Sequence, residues 1–141
     1  MKDLLIRWFT AFNTFLIRAT NGRVGSKLGK QTILLLQTLG RKTDQPHVAP
    51  VAYFRHERNY LLVGSNWGRG RHADWYLNLL RQPHGMIHVD GMKISVSCHD
   101  AEGDEYDRLW KFVTGLHAPY LNYQEMTARR IPIMVLKPGR I

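Results

Sequence analysis

Thr38-Leu39-Gly40-Arg41-Lys42-Thr43-Asp44-Gln45-Pro46-His47-Val48-Ala49-Pro50-Val51-Ala52-Tyr53-Phe54 joins two β-forming runs. Ile33-Leu34-Leu35-Leu36 leads in and Val48 to Phe54 leads out. Between them, Gly40 admits positive φ, Asp44 bonds nearby backbone and Pro46 fixes φ, so the stretch reads as strand–turn–strand. The turn also collects Arg41, Lys42, the Thr43 hydroxyl and backbone N–H groups in one exposed place. That set suits an anion, above all a phosphate, which arginine grips as a fork and lysine meets as a point charge. Taken alone, the turn reads more simply as a hairpin with solvated charges. The rest of the chain shifts the balance to the anion site.

A length of 141 residues suits one domain, and 44% hydrophobic residues suffice for a core. No apolar run is long enough to cross a bilayer. Arg7, Thr10, Asn13 and Thr14 interrupt the N-terminal apolar residues, so no signal peptide is expected there. The single cysteine, Cys98, excludes an internal disulfide and fits a reducing cytosol. A net charge of +9 asks for an acidic partner: nucleic acid, an anionic membrane surface or an anionic small molecule. No helix-turn-helix, zinc or RNP pattern is present and the basic residues are dispersed, so no nucleic acid is expected. No metal is expected either, because His84 and His88 lie in a β-like run and share no helical face.

Upstream, Leu5, Trp8, Phe9, Phe12, Phe15, Leu16 and Ala19 recur at helical spacing, and Asn21-Gly22 stops them. This amphipathic helix either packs on the domain, covers an apolar pocket or meets lipid. A basic, Gly-rich connector at 23–31 follows, so an N-terminal helix at 1–22 precedes the main body of the domain at 23–141. Downstream, a strand is expected at 47–55, with Pro50 marking an edge or bulge. A strand at 60–63 leads to a flexible basic loop at 64–72. A short helix at 74–80 then presents its anion-attracting N-terminus to that loop. Strands at 86–89 and 93–99 flank the hairpin turn Asp90-Gly91. Ile94, Val96 and Cys98 share the apolar face of the second, so Cys98 reads as a small core residue. Helices at 102–117 and 120–128 precede a last strand at 130–136. The sum is an α+β fold: a small β-barrel, closed or split, of about six mostly antiparallel strands with flanking helices.

Three groups of residues carry a resemblance. They are Gly40-Arg41-Lys42-Thr43 with Gln45-Pro46 and Pro50; Trp75-Tyr76-Leu77-Asn78-Leu79; and Tyr120, Tyr123-Gln124 and Arg130-Ile131-Pro132-Ile133. In this order and spacing they resemble the deazaflavin-dependent nitroreductase family, split-barrel oxidoreductases that use coenzyme F420. The resemblance covers nearly the whole chain. It implies that Arg41, Lys42 and Thr43 take the cofactor's phosphate. Lys27, Lys30, Arg69 and Arg71 would follow its oligoglutamate tail, which gives the positive charge a purpose. His47, Val48, Ala49, Pro50, Val51 and Ala52 would border the ribityl chain and ring. Val63, Gly64, Ser65 and Asn66 would meet the ring from the strand end, Asp74, Trp75, Tyr76, Leu77 and Asn78 from the helix, and Tyr120 from the other side. The chain departs from the family where Asn66-Trp67-Gly68 replaces Lys or Gln followed by two glycines. It departs again where Asp74 replaces an apolar or small residue and where His117 replaces an aromatic. Substrate contacts are therefore expected from His117, Tyr123 and Trp67, with Trp67 narrowing or capping the pocket.

The implied reaction passes a hydride from the reduced cofactor to an electron-poor acceptor: a quinone, an activated enone or a nitroaromatic. Tyr120 and Ser65 would donate hydrogen bonds to the acceptor oxygen, with Tyr120 or water supplying a proton. The plainer role for Tyr120 is a buried aromatic with a satisfied hydroxyl. The N-terminal helix suits a lipophilic acceptor and a cytoplasmic enzyme peripheral to the inner face of the membrane. FMN is the alternative cofactor, since Arg41 and Lys42 would serve either phosphate and only the basic path favours F420.

Overall fold

A computed structural model describes residues 32–139. The helix at 3–19, the connector with Lys27 and Lys30, and the division at residue 22 lie outside the described residues. Six strands, β1 (Thr32–Leu39), β2 (Pro46–His56), β3 (Asn59–Val63), β4 (His84–Val89), β5 (Met92–Asp100) and β6 (Ile133–Pro138), form a closed barrel in the order β1-β2-β3-β6-β5-β4. Every described ladder, including β1 with β4, is antiparallel. Helix α1 (Asp74–Arg81) lies between β3 and β4, and α2 (Gly103–Leu116) and α3 (Pro119–Glu125) lie between β5 and β6.

Strand alternation sorts the apolar residues into two cores. Leu34, Leu36, Tyr53, Leu62, Ile87, Val96, Met134 and Leu136 belong to one cluster drawn from all six strands, which only the barrel interior allows; Trp75, Tyr76 and Leu79 of α1 join it. The opposite faces of β3 and β6, with Leu61, Val63, Ile133 and Val135, pack under α2 and α3 against Tyr106, Leu109, Val113 and Tyr120. Asp90 and Gly91 both have positive φ, 49° and 76°, as a two-residue hairpin of this type requires.

Two element ends and one loop differ most from the sequence expectation, and β4 starts at His84 rather than Met86. The last strand starts at Ile133 rather than Arg130, because the preceding backbone is bonded elsewhere: the Tyr106 hydroxyl donates to Ile131 O at 2.5 Å and Ile131 N–H to Gln124 Oε1 at 2.9 Å. Helix α3 ends at Glu125 rather than Ala128, where Gln124 Nε2 turns the chain back by donating to Arg129 O at 2.7 Å. The loop at 64–72 contains a 3-10 turn, Asn66–Gly68.

Cys98 packs against the interior core, and burial pushes its thiol up to about 12. Only the thiolate is nucleophilic. Alkylation of the native protein at pH 8 is therefore expected to be at least tenfold slower than in denaturant, as mass spectrometry of modified Cys98 will show; equal rates would refute its core placement.

Candidate active site

The β2–β3 ladder spans only Tyr53–His56 on β2, whereas the β1 ladder runs along β2 from Pro46 to Tyr53. Among the described residues, the first half of β2 thus pairs on one side and leaves an open edge. Proline suits this position: Pro50 lacks an N–H and is registered opposite Leu35 without a bulge. Beyond Val63 the chain leaves the sheet, and a cleft of about 400 Å³ opens beside that edge. Its walls are Ile33, Pro50, Val51, Ala52 and Val63 from the strands, Ala73 and Trp75 at the start of α1, Ser65, Asn66 and Trp67, and His117, Tyr120 and Tyr123.

Eleven of the residues singled out in the sequence meet there: Pro50, Val51, Ala52, Val63, Ser65, Asn66, Trp67, Trp75, His117, Tyr120 and Tyr123. The Tyr120 ring is buried and stands 4.9 Å from His117, 6.0 Å from Phe54 and 6.3 Å from Tyr123, centroid to centroid. Burial lowers the His117 pKa below its ordinary value, which favours the neutral ring near pH 7. Trp67 is 70% exposed at the mouth. Its φ of 61° and the 46° of Asn66 put two consecutive non-glycine residues in the left-handed region, at a cost of roughly 1–3 kcal/mol each.

The cationic turn forms a second feature. Arg41 Nη1 and its backbone N–H both donate to Asn78 Oδ1 at 3.1 Å, and Nη2 reaches Asp74 Oδ1 at 3.3 Å. Arg81 donates to Arg41 O at 2.5 Å and pairs with Asp44 at 3.1 Å. Asp74, unexpected from the family pattern, thus orients Arg41. Lys42 and Thr43 are exposed on the same turn. His47 follows, and its Nδ1 is buried without a hydrogen-bond partner among the described residues.

Other expected cofactor residues lie elsewhere. Tyr76 faces the barrel core and donates from its hydroxyl to Asp100 Oδ2 at 2.8 Å, which with burial raises its pKa. Leu77 packs against the same core, and Asn78 is buried between Arg41 and Thr38. Gly64 lies behind the cleft, where a Cβ would come within 2.7 Å of Pro132 Cγ. His47, Val48 and Ala49 sit on β2 toward the turn. Arg69 and Arg71 are exposed on the 64–72 segment. Sequence reasoning passed over Ile33, Ala73 and Arg129. Arg129 donates to three carbonyls of that segment, and no local pattern marks it.

Among solved structures, an F420-H2 dependent reductase (FDR-A) superposes with a TM-score of 0.67 and 26% identity over 74% of this chain and 93% of that one. General Stress Protein 26 from Bacillus anthracis str. Sterne, at 13% identity and a TM-score of 0.52 over 77% of this chain and 80% of that one, shares the fold alone. These likenesses place the chain in the split-barrel class. Residues 8–138 match the model of the family described as F420H(2)-dependent quinone reductase. An F420H(2)-dependent quinone reductase of Mycobacterium tuberculosis (strain H37Rv) is 39% identical over 123 residues, 84% of this chain and 83% of the relative. The chain belongs to the F420H(2)-dependent quinone reductase family, and the FMN alternative loses its support. Among the described residues no three His, Cys, Asp or Glu side chains group to hold a metal, and no helix is long and apolar enough to cross a membrane.

Proposed function

We propose that this chain reduces a quinone in the cleft beside β2, using the hydride that bound reduced F420 supplies. The observation that carries the reading is the pairing of an open strand edge and apolar cleft with a preorganised cationic turn. The residues fit the cofactor: the apolar walls suit a planar ring, and among the described residues the first half of β2 keeps one edge unpaired, with main-chain groups for ring heteroatoms, and the His47 Nδ1 has no partner. Arg41, Lys42 and Thr43 would hold its phosphate, and exposed Arg69 and Arg71 its acidic tail.

In the cleft, Ser65 and Tyr120 would donate hydrogen bonds to the acceptor oxygen as negative charge grows there, and Tyr120 or water would supply the proton. His117 and Tyr123 line the acceptor's side, with Trp67 at the mouth as a flat wall. Nitroaromatics and activated enones are secondary acceptors, to be screened beside quinones. Exposed Trp67, Leu116, Leu121 and Met126, with the net charge of +9, support peripheral contact with an anionic membrane that holds a lipophilic quinone.

The test is fluorescence titration with oxidised F420 and with FMN, followed by turnover of a soluble naphthoquinone. Preference for FMN, or binding of neither, would overturn the reading. Tyr120→Phe is expected to lower kcat about ten- to a hundredfold with cofactor affinity within about threefold, the loss of one acid or donor. Unchanged kcat would remove Tyr120 from the chemistry and leave it as a core ring.

A further inference from the structure

We propose that Arg129 is a positioning residue of the cleft: its guanidinium ties the 64–72 segment to the wall formed by α3, and so holds Ser65 and Trp67 in place. The proposal rests on the reading of the cleft as the place of acceptor reduction.

Arg129 Nη2 donates to Ser65 O at 2.9 Å, Nε to Arg69 O at 3.0 Å and Nη1 to Gly64 O at 3.2 Å. Nη1 also lies 3.3 Å from His72 Nδ1. All four partners are neutral acceptors from one stretch of chain, met by a single planar fork. A lysine ammonium, with three donors radiating from one point, has no equivalent geometry. Burial and the Arg129 charge together lower the pKa of His72, which favours the neutral ring, and its Nε2–H tautomer accepts from Arg129 at Nδ1.

The segment needs an outside hold. Its own bonds are few: Gly68 N–H to Ser65 O at 2.9 Å, Arg69 N–H to Asn66 O at 3.1 Å and Asn66 Nδ2 to Arg71 O at 3.0 Å. Against them stand the left-handed Asn66 and Trp67. Such backbone persists only where the surroundings over-determine it. At the other end, Gln124 of α3 fixes the Arg129 carbonyl through Nε2 and the Ile131 N–H through Oε1. The helix that carries Tyr120 and Tyr123 is thereby linked through Arg129 to the segment that carries Ser65 and Trp67. The two walls also meet at Gly68, which lies against Met126 just past α3, and Arg129 adds the side-chain hydrogen bonds between them.

The test compares Arg129→Ala and Arg129→Lys with the full-length wild type. In the alanine variant, amide exchange at Gly68 and Arg69 should rise at least tenfold while the β1–β4 and β5–β6 ladder amides keep their protection. kcat/KM for a naphthoquinone should fall about ten- to a hundredfold, as expected when reacting groups shift by about an ångström. The Kd for oxidised F420 should rise by a smaller factor than kcat/KM falls, because the Arg41 turn is untouched and only the Arg69 and Arg71 contacts sit on the loosened segment. Ethylguanidinium should restore both exchange protection and kcat/KM to Arg129→Ala, whereas ethylammonium should not, and Arg129→Lys should recover less than half of the loss. Native exchange and native kcat/KM in Arg129→Ala would overturn the proposal. So would loss of protection spread evenly over all ladders, or equal rescue by both cations. If Arg129→Ala does not fold, Arg129→Lys carries the exchange measurement, with unchanged protection at Gly68 and Arg69 counting against. A wild type that reduces no quinone would sink the functional reading alone, since exchange and its rescue need no turnover.

Discussion

Replacing Arg41 and Lys42 together by alanine is expected to raise the Kd for oxidised F420 by a hundredfold or more in fluorescence titration. A charge-assisted hydrogen bond is worth about 1.5–3 kcal/mol, so two lost contacts remove roughly 3–6 kcal/mol, and about 1.4 kcal/mol is tenfold. Arg41 is also preorganised: Asn78 and Asp74 hold its guanidinium before any ligand arrives. The alanine backbone keeps the N–H that donates to Asn78, so the fold should survive. The Arg41–Asp74 pair is partly exposed, with Asp74 66% accessible, so salt will weaken both the pair and the anion site. Raising NaCl from 50 to 300 mM should therefore weaken wild-type binding more than that of the double variant. A Kd within tenfold of wild type would show that the phosphate is held elsewhere.

The second large effect is on stability. Asn78 is 2% exposed and joins α1 to the end of β1 and the turn. Its Oδ1 accepts from the Arg41 backbone and guanidinium, and its Nδ2 donates to Thr38 Oγ1 at 3.0 Å, where Thr38 is 3% exposed. Asn78→Leu leaves the Thr38 hydroxyl without this partner at a buried site and the Arg41 N–H without it at a part-buried one. At about 1–3 kcal/mol per unsatisfied group, the expected loss is roughly 3–5 kcal/mol by urea unfolding, or a Tm about 10 °C lower. Asn78→Asp should recover most of it, because a carboxylate still accepts from Arg41 and now accepts from the Thr38 hydroxyl. A loss below 1 kcal/mol for Asn78→Leu would mean that the turn does not depend on this side chain. F420 affinity of the folded Leu variant should also drop, since Arg41 loses its support.

These two positions show how unevenly the site could be read in advance. The turn at 40–46 was visible because glycine, aspartate and proline declare it within seven residues, and its cations lie beside one another. The cleft lining was legible through the family resemblance, which carries Ser65, Trp75, Tyr120 and Tyr123. Trp75 and Asn78 are three residues apart on α1, yet Trp75 lines the cleft while Asn78 bonds the turn. The family resemblance sets both against the cofactor ring, and only docking on the barrel decides which side each one meets.

The strands, the hairpin at Asp90-Gly91, the cationic turn and the family are written in local residues, since alternation, turn chemistry and motif order are properties of near neighbours along the chain. The order in which the strands close, the open half of β2, the burial of Asn78 and the hold of Arg129 on the opposite wall emerge only when distant segments pack. Arg129 and Gly64 are 65 residues apart in sequence, and Arg41 and Asn78 are 37 apart. Contacts over such separations leave no periodic mark, because each partner's local residues suit many folds and barrel closure alone brings them together.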